Sequence, residues 1–548
     1  MKKRIFIAND ASFLDTGYGV YGKEIISRIH KSGKYDVAEL GCYAAVGDSR
    51  IKNIPWKFYP NAVKADDSRF QQYSANNLNQ FGLWRFNRCL ADFKPHIVFD
   101  VRDYWMYAYQ DTSPYRPYFS WIIMPTTDSD PPKIEWLYTY QNAELVVPYT
   151  DFAKNVLHRT CGKRINLFPK IANAGINPNE FYPIENKSAH KIKHLGRDLN
   201  IVGVVMRNQK RKLIAELLLA FKMFLEQLKV SKQDDIYDKT YLYLHTSYPE
   251  ENGWDIPSLL LEYGLLDKAY FTYKCKNCAK VSGGKFHSAL RVCTNCNTRA
   301  VGIAGASNGV TTSELNDVYN LFDIFVQYAI CEGFGMPQVE AAACGLQIAS
   351  VDYSAMTEVA EKLNGIKIPV QKMFREMEIN ADRAYPDNEF TAKMFYDFFV
   401  NTSSDTKAKN SLEIREKCLS IYTWDNVYKI WEEAFDSIDI NKKLSWNSNN
   451  VPQVKNGSVK VPSHLDEKAF IEYICLNVIN DPYLLQTANI QILIKDAVNC
   501  LVARSGSIST MNKQEVLNIL EGYLNNKVVC EKMRSHPEIL NKEDFIQC

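Results

Sequence analysis

The chain has 548 residues, more than one hydrophobic core usually holds, so its length favours two or three domains. Hydrophobic residues make up 46% and charged residues 23%, a balance that excludes a chain disordered as a whole. The formal net charge of +2 indicates no partner until the distribution of that charge is considered.

The amino terminus, MKKRIFIAND, passes from a short basic start straight into an apolar strand and lacks the longer apolar region of a signal peptide. No uncharged apolar run approaches the length of a membrane helix. We therefore expect a cytoplasmic, soluble protein without a membrane span. Most of the 14 cysteines stand singly among apolar residues, as reduced buried thiols do, whereas four are paired in a way that indicates a metal.

Short apolar runs alternate with helical patterns along most of the chain. The runs are RIFIA, PHIVFDV, SWIIMP and AELVVPY, then NIVGVVM, TYLYLH, DIFVQYA and LQIASV. Strands separated by helices predict parallel sheets with helices on both faces. The pattern restarts after AGINPNEFYP, so we predict two doubly wound α/β domains, residues 1–175 and 176–435, with ligands in the cleft between them.

The chain changes character after the amphipathic helix predicted from IYTWDNVYKIWEEAF, which would close the second domain. The next segment, residues 436–464, is polar and rich in Asn, Ser and Pro, which predicts a linker. From about Leu465 the pattern is helical again, so a small α domain is predicted over residues 465–548.

The stretch CEGFGMPQVEAAACG follows the predicted strand DIFVQYA and holds Glu332 and Glu340, eight positions apart around a glycine turn. Backbone N–H groups freed by Gly333 and Gly335 at a helix start would cradle phosphate. Glu332 would then lie beside the phosphates and Glu340 on a nearby face, about two turns into the helix. One carboxylate suits sugar hydroxyls and the other a ribose diol; two solvated glutamates on a strand-turn-helix are the structural alternative.

The E-x7-E arrangement, followed by SAMTEV, resembles the donor site of the retaining nucleotide-sugar glycosyltransferases of the GT-B fold, family four. GVVMRNQKRKLIAELLLAF resembles the opening of their second domain, with Arg207 and Lys212 as the two cations for a leaving diphosphate. Lys210 and Arg211 are adjacent, so the lysine assignment stays open. The resemblance covers approximately residues 1–435 and implies two facing Rossmann-like domains, the first for the acceptor and the second for the donor.

In the first domain, DTGYGVYGKEI resembles the family's glycine-rich loop after the first strand, where Gly17 and Gly19 allow close approach of the backbone to donor phosphate and acceptor. WIIMPTTDSDPP departs from the commonest form, which carries a histidine, and comes closer to a Pro-x-Asp pattern that makes Asp128 an acceptor-side candidate. FDVRDYW ends another strand at the cleft, and its charged residues, Asp100, Arg102 and Asp103, suit either function or a local ion pair.

The resemblance also implies the chemistry. Glu332 would hold donor sugar hydroxyls, Glu340 the ribose, and Gly335, Met336 and Pro337 the phosphate-side turn. The reaction would retain the anomeric configuration, with the departing diphosphate taking the acceptor's proton on the same face. The co-substrate would be a nucleoside-diphosphate sugar, and no catalytic metal is expected.

The insert KCKNCAKVSGGKFHSALRVCTNCNTR, within residues 273–300, carries two C-x2-C knuckles formed by Cys275, Cys278, Cys293 and Cys296. This spacing predicts a tetrahedral structural zinc site, a zinc ribbon with four cysteine ligands. The insert has no acidic residue and six basic ones, namely Lys274, Lys276, Lys280, Lys285, Arg291 and Arg299. The zinc either presents a basic surface to nucleic acid or only staples a loop too small for a core.

These observations favour a retaining glycosyltransferase whose acceptor is a hydroxymethylated base in DNA, flipped out to reach the cleft. One alternative is a transferase that builds cell-surface or capsular polysaccharide. Another is a nucleic-acid-binding protein on a degenerate transferase scaffold. The sugar, the nucleotide and the oligomeric state stay open.

Overall fold

The computed structural model describes residues 2–305, 308–448 and 451–452. The end of the predicted linker, residues 453–464, and the predicted helical domain, residues 465–548, lie outside the described residues. Among the helices that are described, none combines the length and the apolar character needed to cross a bilayer.

The first domain is built on a sheet of six strands: β1 (Lys3–Asp10), β2 (Tyr35–Ala45), β3 (Lys57–Ala62), β4 (Ile97–Asp100), β5 (Ser120–Ile123) and β6 (Leu145–Val146). All neighbouring strands are parallel, in the order β3-β2-β1-β4-β5-β6. The central β1 reads as a continuous apolar run because helices cover both of its faces. Its α-helices are α1 (Gly17–Ser32), α2 (Phe70–Ser74), α3 (Phe86–Phe93), α4 (Tyr104–Tyr107), α5 (Ile134–Asn142) and α6 (Asp151–Cys161).

The second domain repeats this plan with the parallel strands β7 (Asn200–Val205), β8 (Thr240–His245), β9 (Ala269–Cys275), β13 (Ile324–Gln327), β14 (Gln347–Val351) and β15 (Ile366–Ile368). Their order is β9-β8-β7-β13-β14-β15. Its α-helices are α7 (Lys187–Leu195), α8 (Ile214–Val230), α9 (Asp234–Lys239), α10 (Ile256–Glu262), α11 (Thr312–Tyr319), α12 (Met336–Ala343), α13 (Ala355–Lys362), α14 (Asn388–Tyr396) and α15 (Ser404–Ile421), and α16 (Trp424–Ser437) follows them in the chain.

Two additions extend this second sheet. The cysteine insert forms the short strands β10 (Val281–Lys285), β11 (Arg291–Val292) and β12 (Arg299–Ile303), and β10 and β12 pair antiparallel with β9. A separate hairpin, β16 (Val370–Glu376) and β17 (Ala381–Pro386), follows β15. The insert therefore lies at the edge of the sheet.

The chain crosses between the domains twice, at neighbouring points. Ile176 N–H donates to Tyr422 O at 2.5 Å, so the outgoing and returning segments of chain run side by side. A Cβ on Gly175 would lie 2.6 Å from Trp424 N, which explains why only glycine fits there. The domains are therefore tied together by their own backbone.

The last described helix, α16, packs on the first domain although it follows the second domain in sequence. Trp431 Nε1 donates to Tyr21 Oη at 2.8 Å, and the Phe435 ring lies 5.1 Å from that of Phe99. Beyond the helix, Trp446 Nε1 donates to a backbone carbonyl of the first domain, Pro95 O, at 2.8 Å. The helix and the start of the predicted linker thus cover the first sheet, and they do not close the second domain.

Candidate active site

Glu332 lies just beyond the carboxyl end of β13, buried between two cations. Its Oε2 accepts a hydrogen bond from Arg211 Nη1 at 2.9 Å, and its Oε1 accepts from Lys212 Nζ and from Gln327 Nε2. The backbone N–H of Glu332 donates to Ser354 Oγ at 2.9 Å. The side chains of Lys212 and Glu332 are each 7% exposed, so water screens this ion pair little.

These neighbours keep Glu332 ionised. Burial by itself would raise the pKa of Glu332, but Arg211 and Lys212 outweigh burial and lower it to about 2. Burial lowers the pKa of Lys212, and the Glu332 carboxylate opposes that effect. A carboxylate offers about four lone-pair directions, and three donors already occupy its oxygens, which leaves one for a ligand hydroxyl.

The glycine turn predicted after Glu332 is present and closely packed. Gly335 has φ 86° and ends the turn, and α12 begins at Met336 with Pro337 in its first turn. A Cβ on Gly333 would lie 2.4 Å from Thr126 Cγ2 of the first domain. The turn therefore lies against the first domain, with the helix N-terminus beside it, and a glycine at 333 allows that close contact.

Glu340 lies on α12 and is oriented by a tyrosine. Tyr319 Oη donates to Glu340 Oε2 at 2.6 Å. Burial raises the pKa of Glu340 to about 7, although the hydrogen bond from Tyr319 lowers it. The two glutamates of the predicted pair thus have opposite electrostatics, because only Glu332 has cationic partners.

The basic stretch before α8 separates into three environments. Arg207 is 65% exposed, and its Nε pairs with Glu250. Lys210 extends to the surface and pairs with Glu378 at 3.1 Å. Lys212 and its neighbour Arg211 both contact Glu332. Of the two predicted cations, Lys212 therefore lies at this carboxylate, whereas Arg207 pairs with Glu250 instead.

The glycine-rich loop of the first domain begins α1. Thr16 caps this helix, since its side chain accepts from Gly19 N–H at 3.0 Å, and its hydroxyl donates to Asp10 Oδ2 at 2.7 Å. A Cβ on Gly19 would lie 2.4 Å from Leu14 O, so glycine is required by the loop itself. A Cβ on Gly17 would meet no atom of the described residues within 4 Å. The space beside Gly17 is therefore open to a ligand.

Asp128 reaches the second domain from the loop after β5. Cys331, the residue before the buried glutamate, donates from Sγ to Asp128 Oδ2 at 3.4 Å. Arg383, on β17, donates from Nη1 to Asp128 O at 2.8 Å. Its neighbour Asp382 donates from the backbone N–H to Asp130 O at 2.9 Å. The β16–β17 hairpin thus holds the loop of Asp128 against the second domain.

The charged residues after β4 divide into a structural pair and a cleft residue. Arg102 and Asp100 are fully buried and bonded at 2.6 Å, which assigns them to local structure. Asp103 instead lies beside Tyr18, and burial raises the pKa of Asp103 to about 6, with Asp128 raising it further and Arg211 opposing. Asp103 and Tyr18 therefore belong to the site.

Sequence reasoning missed several members of this site. Gln327 had a usable signal, because a polar residue at the end of a buried strand needs a partner. Ser354 lies in SAMTEV, and its φ of 54° places its hydroxyl where it accepts from Glu332. Arg383 had no local signal, since its partner Asp128 is 255 positions away.

The four cysteines of the insert form one cluster. Their Sγ atoms lie within 4.8 Å of one another, and the Cys275–Cys296 and Cys278–Cys293 pairs are each 3.6 Å apart. A tetrahedral zinc thiolate requires S···S separations of about 3.8 Å, far longer than a disulfide bond. This four-cysteine cluster therefore fits Zn²⁺ and leaves no open coordination position.

Some of the basic side chains of the insert already have acidic or aromatic partners within the second domain. Lys274 is buried and pairs with Glu314 at 2.8 Å, and Lys285 pairs with Asp267 at 2.9 Å. Arg291 stacks on the Tyr273 ring with its Cζ 3.8 Å from the centroid. The exposed cations of the insert that remain are Lys276, Lys280 and Arg299.

No protein-family model matches the chain, and no curated protein matches it by sequence. Solved structures do match. A sucrose-phosphate synthase from Thermosynechococcus elongatus has a TM-score of 0.57 and 15% identity, over 80% of this chain and 100% of that one. A glycosyltransferase from Rickettsia africae has a TM-score of 0.53 and 13% identity, over 79% and 98%. HepE from Anabaena, in complex with UDP-glucose, has a TM-score of 0.53 and 12% identity, over 80% and 100%.

The chain has the GT-B fold. Two Rossmann-like domains with parallel sheets, joined by a double crossing and a returning helix, account for the match over four fifths of the chain. The predicted fold is confirmed, including a cysteine cluster compatible with a zinc ribbon. In the GT-B architecture the carboxyl ends of both sheets face one cleft, which is where Glu332, Lys212, Asp128 and Gly17 lie.

Proposed function

We propose that the chain is a glycosyltransferase that moves a sugar from a nucleoside-diphosphate sugar to an acceptor hydroxyl. The cluster of buried Glu332 and Lys212 with the half-buried Arg211 carries the proposal, because it places an ionised carboxylate and two cations at the cleft of a GT-B fold. The neighbour HepE was solved with UDP-glucose, which supports a nucleotide sugar as donor. Sequence identity to the neighbours is too low to carry their substrates over.

Each residue has a proposed role. Glu332 accepts a hydrogen bond from a donor sugar hydroxyl through its remaining lone pair, and Glu340 binds the ribose diol. Lys212 and Arg211, which lie beside Glu332, stabilise the negative charge of the departing diphosphate. The exposed Arg207 supplies a further cation. The turn formed by Gly335, Met336 and Pro337 places helix N–H groups by the phosphates.

We propose that the reaction retains the anomeric configuration. The bond from the anomeric carbon to the diphosphate oxygen breaks, and the acceptor oxygen bonds to the same face of that carbon. The acceptor's proton passes to the departing diphosphate oxygen, so no protein nucleophile takes part. Asp128 and Asp103 would orient the acceptor hydroxyl. The four-cysteine cluster would bind a structural Zn²⁺ outside the reaction.

The acceptor favoured by the sequence, a hydroxymethylated base in DNA, is supported by Lys276, Lys280 and Arg299, which are exposed on the insert. That support is weaker than the sequence indicates, because Lys274 and Lys285 have acidic partners. If DNA is the acceptor, transfer must fall steeply with added salt. A cytoplasmic location stays a prediction of the sequence.

The experiment that tests the proposed function is release of nucleoside diphosphate from a panel of sugar nucleotides, with and without acceptors. The acceptors are plain DNA, hydroxymethylcytosine DNA and simple oligosaccharides. We expect release by the wild type and its loss in Glu332→Gln, because a neutral amide cannot balance the two cations. Lys210→Met is the matched control, since Lys210 belongs to the same basic stretch but lies at the surface. No release with any sugar nucleotide, or equal release by Glu332→Gln, would contradict the proposal.

A further inference from the structure

Three aromatic residues at the carboxyl edge of the first sheet are not used by the donor site. Tyr43 and Trp105 are 43% and 50% exposed, and the buried Phe81 lies between them. The ring centroids of Phe81 and Trp105 are 4.8 Å apart and nearly perpendicular, and those of Tyr43 and Phe81 are 6.3 Å apart. This aromatic wall leaves two large rings in water, which a ligand surface explains better than packing does.

The backbone of Tyr43 is strained in a way that presents its ring. Tyr43 has φ 64°, a left-handed conformation that bulky residues rarely adopt. It lies between Gly41 and Ala45, where the pairing of β2 with β3 shifts register. Strain of this kind persists where the surrounding structure enforces it, and it concentrates at ligand sites.

Carboxylates accompany the wall. Asp10 ends β1 beside Tyr43, is 4% exposed, and its Oδ1 has no hydrogen-bond partner within the described part of the chain. Asp103 lies two residues before Trp105 and faces Tyr18 and Asp128 in the cleft. A buried acceptor atom without a partner is costly, so Asp10 Oδ1 needs a donor such as an enclosed water, and the Asp10 carboxylate adds negative charge beside Tyr43.

Two arginines near the wall, Arg102 and Arg69, are already neutralised by neighbouring aspartates. Arg102 is bonded to Asp100 at 2.6 Å, fully buried, and Arg69 is bonded to Asp67 at 2.6 Å. A phosphodiester strand beside Asp10 and Asp103 would meet carboxylates, which repel phosphate. A neutral polyol would meet apolar ring faces and hydrogen-bond acceptors, the combination that suits it.

We propose that the aromatic wall is an acceptor subsite for a neutral carbohydrate, with one sugar ring stacked on Trp105 and Tyr43. Its hydroxyls donate to Asp103, which precedes Trp105 by two residues. The inference deepens the proposed function by naming the acceptor class, and therefore rests on it. It favours a carbohydrate over a DNA base at this cleft.

The test separates acceptor binding from donor chemistry. Trp105→Ala, Tyr43→Ala and Trp105→Phe are compared with Tyr182→Ala, whose ring is 44% exposed away from the wall. Saturation-transfer NMR measures binding of maltotriose, cellotriose and lactose, and of a short single-stranded oligonucleotide carrying hydroxymethylcytosine. Donor hydrolysis without acceptor reports the proposed function separately.

We expect at least one neutral trisaccharide or disaccharide to bind, and both alanine variants to weaken that binding about tenfold. Trp105→Phe should restore most of the affinity, and donor hydrolysis and Tyr182→Ala should match the wild type. Carbohydrate binding without donor hydrolysis by any variant would support the subsite while the proposed function fails. Oligonucleotide binding lost in Trp105→Ala, or binding of none of the three sugars, would overturn the subsite.

Discussion

Replacement of Lys212 by Met should expose how strongly the site depends on its buried ion pair. Glu332 and Lys212 are each 7% exposed, and Glu332 would keep only Arg211 as a cationic partner in the variant. The pKa of Glu332 falls from an ordinary 4.5 to about 2 in the folded chain. At about 1.4 kcal/mol per pKa unit, this difference corresponds to about 3 kcal/mol of differential stabilisation of the carboxylate.

The sign of the pH dependence follows from that direction. Because the folded pKa is lowered, the stabilisation is fully present above the unfolded value of 4.5 and is lost as pH falls towards about 2. Breaking a buried pair from one side typically costs about 3–5 kcal/mol, and Arg211, which also lowers the pKa of Glu332, stays in the variant and keeps the cost near the lower end of that range. Lys212→Met should therefore weaken the local structure by about 3 kcal/mol at pH 7, and less as the pH falls below the unfolded pKa.

Hydrogen exchange of the amides in β13 and residues 328–332, followed by mass spectrometry, measures this local opening free energy. It suits a chain of two domains, for which a single unfolding midpoint is not well defined. Glu332→Gln and the double variant complete a cycle, and we expect the double variant to lose about 2 kcal/mol less than the sum of the single ones. Lys210→Met should exchange like the wild type. Additive losses, or equal exchange in Lys212→Met and Lys210→Met, would refute the reasoning.

Three further predictions concern other parts of the site. The purified protein should contain one zinc ion per chain, bound by the four-cysteine cluster, as measured by elemental mass spectrometry, and Cys293→Ser should lower that content sharply. Zinc-free protein with a folded insert would contradict the assignment. Because the pKa of Glu340 is about 7 and its ionised form should accept from ribose, UDP-glucose affinity should rise up to about tenfold from pH 6 to pH 8 in the wild type and stay flat in Glu340→Gln, by calorimetry. Gly333→Ala should destabilise the contact between the domains by about 1–3 kcal/mol, because its Cβ would meet Thr126 Cγ2, and Thr126→Ser should restore stability, as measured by hydrogen exchange of the amides around Gly333.

The sequence predicts those parts of the fold and site that depend on local pattern. Alternating strands and helices indicate two doubly wound domains because burial on both faces of a parallel sheet produces continuous apolar runs. The spacing of Glu332 and Glu340 predicts a glycine turn after Glu332 and places Glu340 about two turns into the helix that follows, so the whole prediction depends on one short segment. The cysteine knuckles are equally local, since each C-x2-C pair closes on one ion.

Tertiary geometry decides what the pattern leaves open. Three adjacent cations precede α8, and the sequence alone does not rank them. In the structure Lys212 N–H donates to Gln209 O at 2.9 Å, and Ile330 N–H donates to Arg211 O at 3.0 Å. These backbone bonds turn Arg211 and Lys212 towards Glu332 and leave Lys210 outside. The hydrogen bond from Arg383 to Asp128 O also cannot be predicted from the sequence, because it joins the β16–β17 hairpin to the loop after β5.

The position of the cysteine insert connects it to the donor side of the cleft. Phe286 of the insert lies edge-on to Tyr248, with ring centroids 5.8 Å apart. Tyr248 precedes Glu250 in the loop after β8, and Glu250 is the partner of Arg207. Because a small ribbon has little core of its own, zinc would fix Phe286 and through it the loop that orients Arg207. The insert therefore lies beside the loop that carries Glu250, the partner of Arg207, whereas the aromatic wall lies on the opposite domain.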